Sequence, residues 1–413
     1  MSSSESTQFS PWLIPDFVQK ILRESENDES IKVQSVTSKP AVAGGDNYMS
    51  DISRVHIDFT RSQTNHEATE SKTLIFKVSF SKDSPAGEMG KECEVFETEI
   101  EMMKNTLEKM NKSLNEKDYR LSPRAYYTQI GDPSFLVVED LAARGFRMAN
   151  RRLGLDLDHC LLVMRGLAKF HASSVAIYEK DPTCIRNYQK GIYYKDCSPK
   201  IRAFVAEAFK SLSTEVKNWP ELDSSYSDKI LNLMEVCYDK GIECSQTMES
   251  EFKVINHGDT WVNNLMFRDD KDGKVVDQIF LDFQIPAWSS PAYDLQYFLN
   301  TSTNDDVQIH HYDKLITEYS KTLCQTMSRM NCKTKPPTLD WIRECLSKRE
   351  FLAILASVLC LPFVVLDKDK VVSLSDMLKP EGTGSSPGFK DERYRRIMTR
   401  RLKYWNSRGL LDA

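Results

Sequence analysis

The organisation of this chain follows from a segment that runs Phe252-Lys-Val-Ile-Asn-His257-Gly-Asp259-Thr-Trp-Val-Asn-Asn264-Leu-Met-Phe267. A polar turn at Arg268 to Gly273 comes next, and the segment then closes with Val275-Val-Asp-Gln-Ile-Phe-Leu281-Asp282-Phe-Gln284. The pattern predicts an apolar strand that leads into a His-Gly-Asp loop, followed by a β-hairpin that ends at a second aspartate.

Several side chains of this segment suit the transfer of a phosphoryl group. The transition state of that reaction is loose and highly charged, so a catalyst mainly supplies positioning and counter-charge. Asn264 and Asp282 offer two oxygen ligands of the kind that hold Mg²⁺ beside water and nucleotide phosphates. Asp259 is placed to accept the proton of an attacking hydroxyl, and His257 to brace the loop backbone. The alternative is ordinary turn chemistry, because Asp, Asn and Gly are common in loops after strands.

At these residues the chain resembles a known group of enzymes. The motif His257-Gly-Asp-Thr-Trp261-x-x-Asn264 with Leu281-Asp-Phe-Gln284 is similar to that of choline-kinase-like and aminoglycoside-phosphotransferase-like small-molecule kinases, and most of all to the insect ecdysteroid kinase-like family. The resemblance implies an α+β, bilobal, protein-kinase-like fold, with a small N-lobe built on an antiparallel β-sheet and a larger, mainly helical C-lobe. It also implies ATP and Mg²⁺ as cofactors and an alcohol as phosphoryl acceptor.

Length, composition and charge agree with a two-lobed globular protein. A chain of 413 residues is long for a single hydrophobic core. Its content of 40% apolar and 28% charged residues is ordinary for a globular chain. The net charge of −5 gives no basic field, which argues against a nucleic-acid enzyme.

The cysteines and the first residues predict a cytoplasmic protein. Ten cysteines are spread from Cys93 to Cys360 without a Cys-x-x-Cys pair, so we expect reduced thiols. The segment Met1 to Ser10 is polar and lacks the apolar core of a signal peptide. The longest apolar run, Phe351 to Leu366, is shorter than the roughly 20 residues that span a bilayer. We therefore expect a buried helix there and no stable membrane insertion.

A glycine-containing turn between two strands is predicted at Gly44-Gly45-Asp46-Asn47-Tyr48-Met49-Ser50. Such a turn can lay backbone N–H groups over phosphates, although Gly-Gly and Asp-Asn also form plain hairpin turns. The family that the chain resembles carries Gly-Asp-Asn-Tyr-x-Ser at this point. The resemblance therefore implies nucleotide contacts for Gly45, Asp46, Asn47, Tyr48 and Ser50.

Lys77 is the one charged residue inside the alternating strand that runs from Lys72 to Phe80. An isolated strand lysine usually faces solvent, but a kinase needs a lysine on this strand to reach the α- and β-phosphates, with a helix glutamate that holds it. The following helix, Cys93 to Leu107, offers several glutamates. Glu99 flanks the apolar stripe of this helix and is our first choice as partner, with Glu97 as the second.

The predicted hairpin that ends near Val138 is followed by Glu139-Asp140-Leu141. In the family that the chain resembles, this position is the hinge between the lobes, where backbone groups meet adenine. The resemblance thus implies nucleotide contacts at Glu139 and Leu141. It divides the chain into an N-lobe over residues 1–138, a hinge over 139–143 and a C-lobe over 144–413.

The rest of the chain is predicted to be helical. Asp156 to Ile177 forms an amphipathic helix whose apolar face carries His171, which we interpret as support behind the catalytic loop. Asp294 is expected to anchor that loop from a helix start. The Arg-rich helix Asp391 to Trp405 is expected to be a solvated, charged helix, with contact to an anionic membrane as the alternative.

The acceptor is predicted to be a small molecule, because only Phe283 to Tyr293 separate Asp282 from Asp294, too few residues for the peptide platform of a protein kinase. Aromatic residues close to the catalytic motif favour a flat, lipophilic alcohol, such as an ecdysteroid, a related steroid or a xenobiotic. Those residues are Tyr188, Tyr193, Tyr194, Trp288 and Tyr293. Two alternatives remain: a kinase of a cationic alcohol such as choline or ethanolamine, and a catalytically inactive binding protein. We infer no obligate protein partner.

Overall fold

A computed structural model of the chain describes residues 13–41, 50–62, 69–367, 370 and 386–413. The chain folds into two lobes of the expected α+β, kinase-like kind. A five-stranded antiparallel sheet forms the smaller lobe, in the spatial order β1-β2-β3-β5-β4. Its strands are β1 Lys32–Pro40, β2 Ser50–Thr60, β3 Glu70–Ser79, β4 Ala125–Gln129 and β5 Phe135–Glu139.

Helix α1, Pro15–Glu26, covers one face of this sheet. Its apolar side chains Val18 and Ile21 pack with alternate residues of β3, Leu74 and Phe76, in the core of the smaller lobe. Since side chains alternate across a strand, Lys77 lies on the opposite face, in register with Ile52 of β2 and Leu136 of β5. The sheet therefore presents Lys77 to the space between the lobes.

The helix that was predicted at Cys93 to Leu107 is interrupted. The chain forms α2 at Pro85–Glu92, α3 at Val95–Glu101, a π-helical turn at Met102–Thr106 and α4 at Leu107–Leu114. Residues Leu107 and Met110 belong to the same apolar cluster as the core of the larger lobe. Single π-helical turns often mark functional positions, and this one separates the helix that carries Glu99, the partner of Lys77, from the helix that packs into the larger lobe.

The larger lobe is built around α5, Leu157–Lys180, which the side chain of Asp156 caps. By length and composition α5 could cross a membrane, but 78% of its most apolar window is buried inside the protein. The helices that follow are α6 Pro199–Val216, α7 Ser224–Ser245, α8 Ala292–Thr301, α9 Asp305–His310, α10 Tyr312–Arg329, α11 Leu339–Lys348, α12 Phe351–Leu359, α13 Leu361–Val365 and α14 Glu392–Ser407.

Helix α14 is less solvated than its sequence predicts. Tyr394 and Met398 are fully buried, so one face packs into the larger lobe. The buried guanidinium of Arg401 donates to Ser357 Oγ at 2.7 Å, and Arg396 pairs with Asp305 at 2.9 Å. The interpretation as a solvated helix was wrong for the face that carries these buried residues, because Tyr394 and Met398 pack in the core and Arg401 also donates to Asn300 O at 2.7 Å.

Two small sheets carry the predicted catalytic segment. Strand β7, Val254–Asn256, pairs with β10, Ala287–Ser289. The second sheet has the order β6-β8-β9, formed by Phe146–Met148, Leu265–Asp269 and Val275–Phe280. Two loops, β7–β8 and β9–β10, therefore emerge beside each other, and Leu281 N donates to Asn264 O at 2.9 Å between them. These loops face the cleft between the lobes.

Candidate active site

Asp294, in the first turn of α8, holds the backbone of the β7–β8 loop. Its carboxylate accepts the N–H groups of His257 at 2.6 Å and Gly258 at 2.9 Å, and the hydroxyl of Thr260 at 2.9 Å. Nε2 of His171, on α5, contacts the same carboxylate at Oδ2, at 3.0 Å. The predicted anchoring by Asp294 and the supporting position of His171 are confirmed by these contacts.

Burial would raise the pKa of the fully enclosed Asp294, but the hydrogen bonds from His171 and from the backbone of Gly258 hold it below its ordinary value. An ionised carboxylate at this point attracts every donor around it. Gly258 is required beside it, because the residue adopts φ of +88° and an added Cβ would lie 1.9 Å from Ile285 O.

His257 links the two loops. Its Nδ1 accepts the N–H of Asp259 at 3.3 Å, so its Nε2 donates to Leu281 O at 2.9 Å. The ring is fully buried and packs on Phe283, with ring centroids 4.6 Å apart. His257 therefore contacts the backbone on both sides of the site, as expected for a residue that braces the loop.

The carboxylate of Asp259 is held at both oxygens. Tyr297 of α8 donates its hydroxyl to Oδ1 at 2.6 Å, and Asn264 donates its amide nitrogen to Oδ2 at 2.7 Å. Burial raises the pKa of Asp259, and the hydrogen bond from Tyr297 opposes that shift. Tyr297 was missed in the sequence. It lies one helical turn after Asp294, and this i, i+3 spacing on one helix face is the signal that could have found it.

Lys77 lies between two carboxylates. Its Nζ is 2.7 Å from Glu99 Oε2 and 2.6 Å from Asp282 Oδ1. Burial alone would lower the pKa of Lys77, but Asp282 and Glu99 raise it above its ordinary value, so the lysine stays charged. Gln284 donates its amide nitrogen to Glu99 at 3.2 Å. Of the two glutamates considered, the buried Glu99 makes this contact.

Asn264 and Asp282 both line the cleft, and Leu281, the residue before Asp282, donates its N–H to Asn264 O at 2.9 Å. Asp282 adopts φ of +64°, a conformation that is uncommon for residues other than glycine and often found at functional sites. The amide nitrogen of Asn264 is committed to Asp259, so its amide oxygen is the atom that could hold a metal ion. An amide oxygen and a carboxylate fit Mg²⁺, which usually takes one or two protein ligands and keeps several waters.

A cavity of about 1430 Å³ opens between the lobes beside these residues. On the side of the smaller lobe, its walls include the predicted nucleotide-binding residues Ser50, Lys77, Glu139 and Leu141. Gly45, Asp46, Asn47 and Tyr48 lie outside the described residues. Arg54 of β2, which the sequence did not single out, also lines this side and forms a bidentate pair with Asp140 at 2.7 and 3.2 Å.

The same cavity extends past Asp259 into the larger lobe. This part, which we call the acceptor chamber, is lined mainly by apolar and aromatic side chains of the segment 191–194 and of α6, α12 and α13. They include Ile192, Tyr193, Tyr194, Ile201, Phe204, Leu352, Leu359 and Phe363. Tyr293 and Tyr297 of α8 complete the wall next to Asp259.

Two of the aromatic residues predicted near the acceptor belong to the core instead. Tyr188 is 1% exposed, and its hydroxyl bonds Thr106 Oγ1 at 2.7 Å. Trp288 packs on Tyr178 of α5, with ring centroids 4.5 Å apart. The prediction was wrong for these two residues, because nearness in sequence to the catalytic motif does not decide which way a ring faces.

Comparison with known proteins agrees with this geometry. No curated protein matches the chain in sequence. A family model, that of the ecdysteroid kinase-like family, matches residues 44–332. This match includes β2 and β3, the helix with Glu99, the hinge and both loops of the site, and it covers more than half of the chain. The chain therefore belongs to the ecdysteroid kinase-like family.

Proposed function

We propose that this protein is an ATP-dependent kinase that phosphorylates a hydroxyl group of a lipophilic small molecule. The observation that carries the proposal is the position of Lys77. It is held between Glu99 and Asp282 at 2.7 and 2.6 Å, and it lines the same cavity as Asp259. This arrangement combines a fixed cation, a metal-ligand pair and a separate carboxylate base, which are the parts that phosphoryl transfer to an alcohol requires.

In this proposal the nucleotide lies between the sheet and the hinge, residues 139–143. The charged Nζ of Lys77 contacts its phosphates, and Glu99 keeps that Nζ in place. Asn264 and Asp282 would hold the Mg²⁺ ion. When bound, the ion supplies counter-charge to the phosphate oxygens. Because Asp282 pairs with Lys77 in the structure, the metal side chain and the phosphate-binding side chain are already positioned relative to each other.

Asp259 is the proposed base. It accepts the proton of the acceptor hydroxyl as that oxygen attacks the γ-phosphorus of ATP and ADP leaves. Burial favours this role, since it raises the pKa of Asp259 and so increases its affinity for the incoming proton. His257 and Asp294 hold the loop, so that the carboxylate has a fixed position when the acceptor arrives.

The acceptor class follows from the walls of the chamber. Small-molecule sites are mostly apolar with a few polar groups, and the acceptor chamber is lined by side chains such as Ile192, Phe204, Leu359 and Phe363. A sugar would need many more hydrogen-bond partners. We therefore propose an ecdysteroid, a related steroid or a xenobiotic alcohol as substrate, and a cytoplasmic location for the reaction.

The test is a panel of acceptors offered to the purified protein with ATP and Mg²⁺, with phosphorylated products identified by mass spectrometry. The panel contains steroid, phenolic, glycosidic and amino alcohols, and Asp282→Ala serves as the inactive control. We expect the highest kcat/KM with a steroid or phenolic alcohol. A higher value with choline or ethanolamine would show a cationic-alcohol kinase. Nucleotide binding without transfer to any member would favour an inactive binding protein.

A further inference from the structure

Helix α8 holds the catalytic loop in two different ways. Near its start, Asp294 accepts hydrogen bonds from the backbone of the loop at His257 and Gly258. One turn later, Tyr297 donates to the side chain of Asp259 at 2.6 Å. The same rigid element therefore fixes the position of the loop and the orientation of its carboxylate.

The contact with Tyr297 is selective for one carboxylate oxygen. Tyr297 engages Oδ1, whereas Asn264 engages Oδ2 at 2.7 Å. Each carboxylate oxygen offers about two lone-pair positions, so both oxygens keep an accepting position when these bonds are made. With the Tyr297 bond absent, the carboxylate would be held through Oδ2 alone and could rotate away from the acceptor chamber.

Tyr297 also lines the acceptor chamber. Its side chain is half-buried and lines the cavity together with Asp259 and Cys360. A buried tyrosine hydroxyl normally finds a partner, and here that partner is the proposed base. The ring thus forms the wall of the acceptor chamber next to the carboxylate that its hydroxyl orients.

We propose that Tyr297 is a positioning residue for phosphoryl transfer, which orients the Asp259 carboxylate toward the hydroxyl of the acceptor. This inference rests on the proposed kinase function. It assigns to Tyr297 an effect on the rate of transfer, exerted through Asp259. Nucleotide binding depends on Lys77, Asn264 and Asp282 and should be independent of Tyr297.

The test compares two variants that each remove one tyrosine hydroxyl. Tyr297→Phe removes the bond to Asp259. Tyr188→Phe is the matched control, because its hydroxyl also makes a short bond, at 2.7 Å to Thr106. Both variants lose a short hydrogen bond of a tyrosine hydroxyl and should lower the melting temperature, so a general loss of stability would affect both.

We expect Tyr297→Phe to lower kcat for phosphoryl transfer about 10- to 100-fold, since misplacing a reacting group by about 1 Å can cost that much. The KM for ATP should stay within about twofold of the wild type. Tyr188→Phe should keep the wild-type kcat within about threefold. Equal kcat values for the two variants, or a Tyr297→Phe variant with the wild-type kcat and a raised KM for ATP, would overturn the inference.

A second measurement does not depend on turnover. In a crystal structure of Tyr297→Phe, the Asp259 side chain should occupy a new or a second orientation, whereas Tyr188→Phe should leave it unchanged. An unchanged single orientation in Tyr297→Phe would contradict the inference. If the wild type phosphorylates no alcohol, the proposed function fails on its own, and the crystal structure still tests whether Tyr297 orients Asp259.

Discussion

Replacing Asp294 by asparagine should destabilise the protein far more than its small change in shape suggests. Four donors reach the buried carboxylate: the N–H groups of His257 and Gly258, the hydroxyl of Thr260 and Nε2 of His171, at 2.6 to 3.0 Å. Because the two backbone N–H groups approach different oxygens, an amide must turn its NH₂ toward one of them. The backbone N–H on that side then loses its acceptor, whereas the second partner of the same oxygen, the Thr260 hydroxyl or the His171 ring, can accept from the NH₂ instead. The remaining bonds lose their charge.

The expected cost follows from these losses. An unsatisfied buried donor costs about 1–3 kcal/mol, and a hydrogen bond to a charged group is worth about 1 kcal/mol more than one to a neutral group. We therefore expect a loss of about 3 kcal/mol in the free energy of unfolding. For a large domain this lowers the melting temperature by roughly 6 to 12 °C. Turnover should also fall, because the loop that carries Asp259 shifts.

The matched control is Asp305→Asn, in the first turn of α9. Asp305 is partly exposed and pairs with Arg396 and Arg400 at 2.9 and 3.1 Å. Exposed pairs of this kind are worth about 0–1 kcal/mol, so this variant should melt within roughly 4 °C of the wild type. Thermal unfolding of both variants without ligand is the assay. Equal melting temperatures for the two variants would refute the claim that Asp294 holds the loop.

The loss of stability caused by Asp294→Asn should depend on pH in a definite direction. The folded state lowers the pKa of Asp294, so the unfolded state takes up a proton on this group first as the pH falls. The stabilisation from Asp294 is fully present above the ordinary aspartate pKa of about 3.9 and is lost as the pH falls through the lower folded-state value. The difference between wild type and Asp294→Asn should therefore persist from about pH 8 to about pH 5 and shrink only in stronger acid.

Three further substitutions test the site. Asp282→Ala should abolish turnover of ATP in Mg²⁺, because it removes the proposed carboxylate ligand of the metal; full activity in an ATP-consumption assay would rule out that role. Asp259→Asn should lower turnover by about 10²- to 10⁴-fold and leave nucleotide affinity intact, as measured by calorimetry; a parallel collapse of affinity would make Asp259 a structural or metal-binding residue. Glu99→Gln should weaken nucleotide binding and turnover, because Lys77 loses a charged partner at 2.7 Å. Glu97 is exposed, so Glu97→Gln should behave as wild type. The reverse result would contradict the pairing of Lys77 with Glu99.

The sequence predicted the parts of the site that lie close together along the chain. Asp259 and Asn264 belong to one loop, and Asp282 follows the hairpin that this loop starts, so spacing and strand pattern were enough to bring them together. Lys77 and Glu99 are distant in sequence from that loop. Glu99 was favoured over Glu97 because it flanks the apolar stripe of its helix, and the helix buries that stripe.

Contacts that depend on side-chain direction could not be predicted. Tyr297 and Trp288 are both aromatic residues near the catalytic segment, yet one bonds Asp259 at 2.6 Å and the other packs on Tyr178. The break in the helix after Glu101 was also missed. Its cause is tertiary: Val95, Phe96 and Ile100 before the turn form a cluster of their own, whereas Leu107 and Met110 after it join the core of the larger lobe. Local propensity carries no record of that difference.

The path of the chain between β3 and the hinge restricts how the cleft can open. In many two-lobed enzymes a short linker alone joins the lobes, and the lobes can swing about it in several directions. Here Leu107 and Met110 are embedded in the larger lobe, while β4 and β5, which follow them in the chain, belong to the sheet of the smaller lobe. The chain thus passes from the smaller lobe to the larger before α4, returns between α4 and β4, and leaves the smaller lobe again at the hinge. Three such connections allow less relative rotation than a single linker does, so the cleft should open through a small angle only.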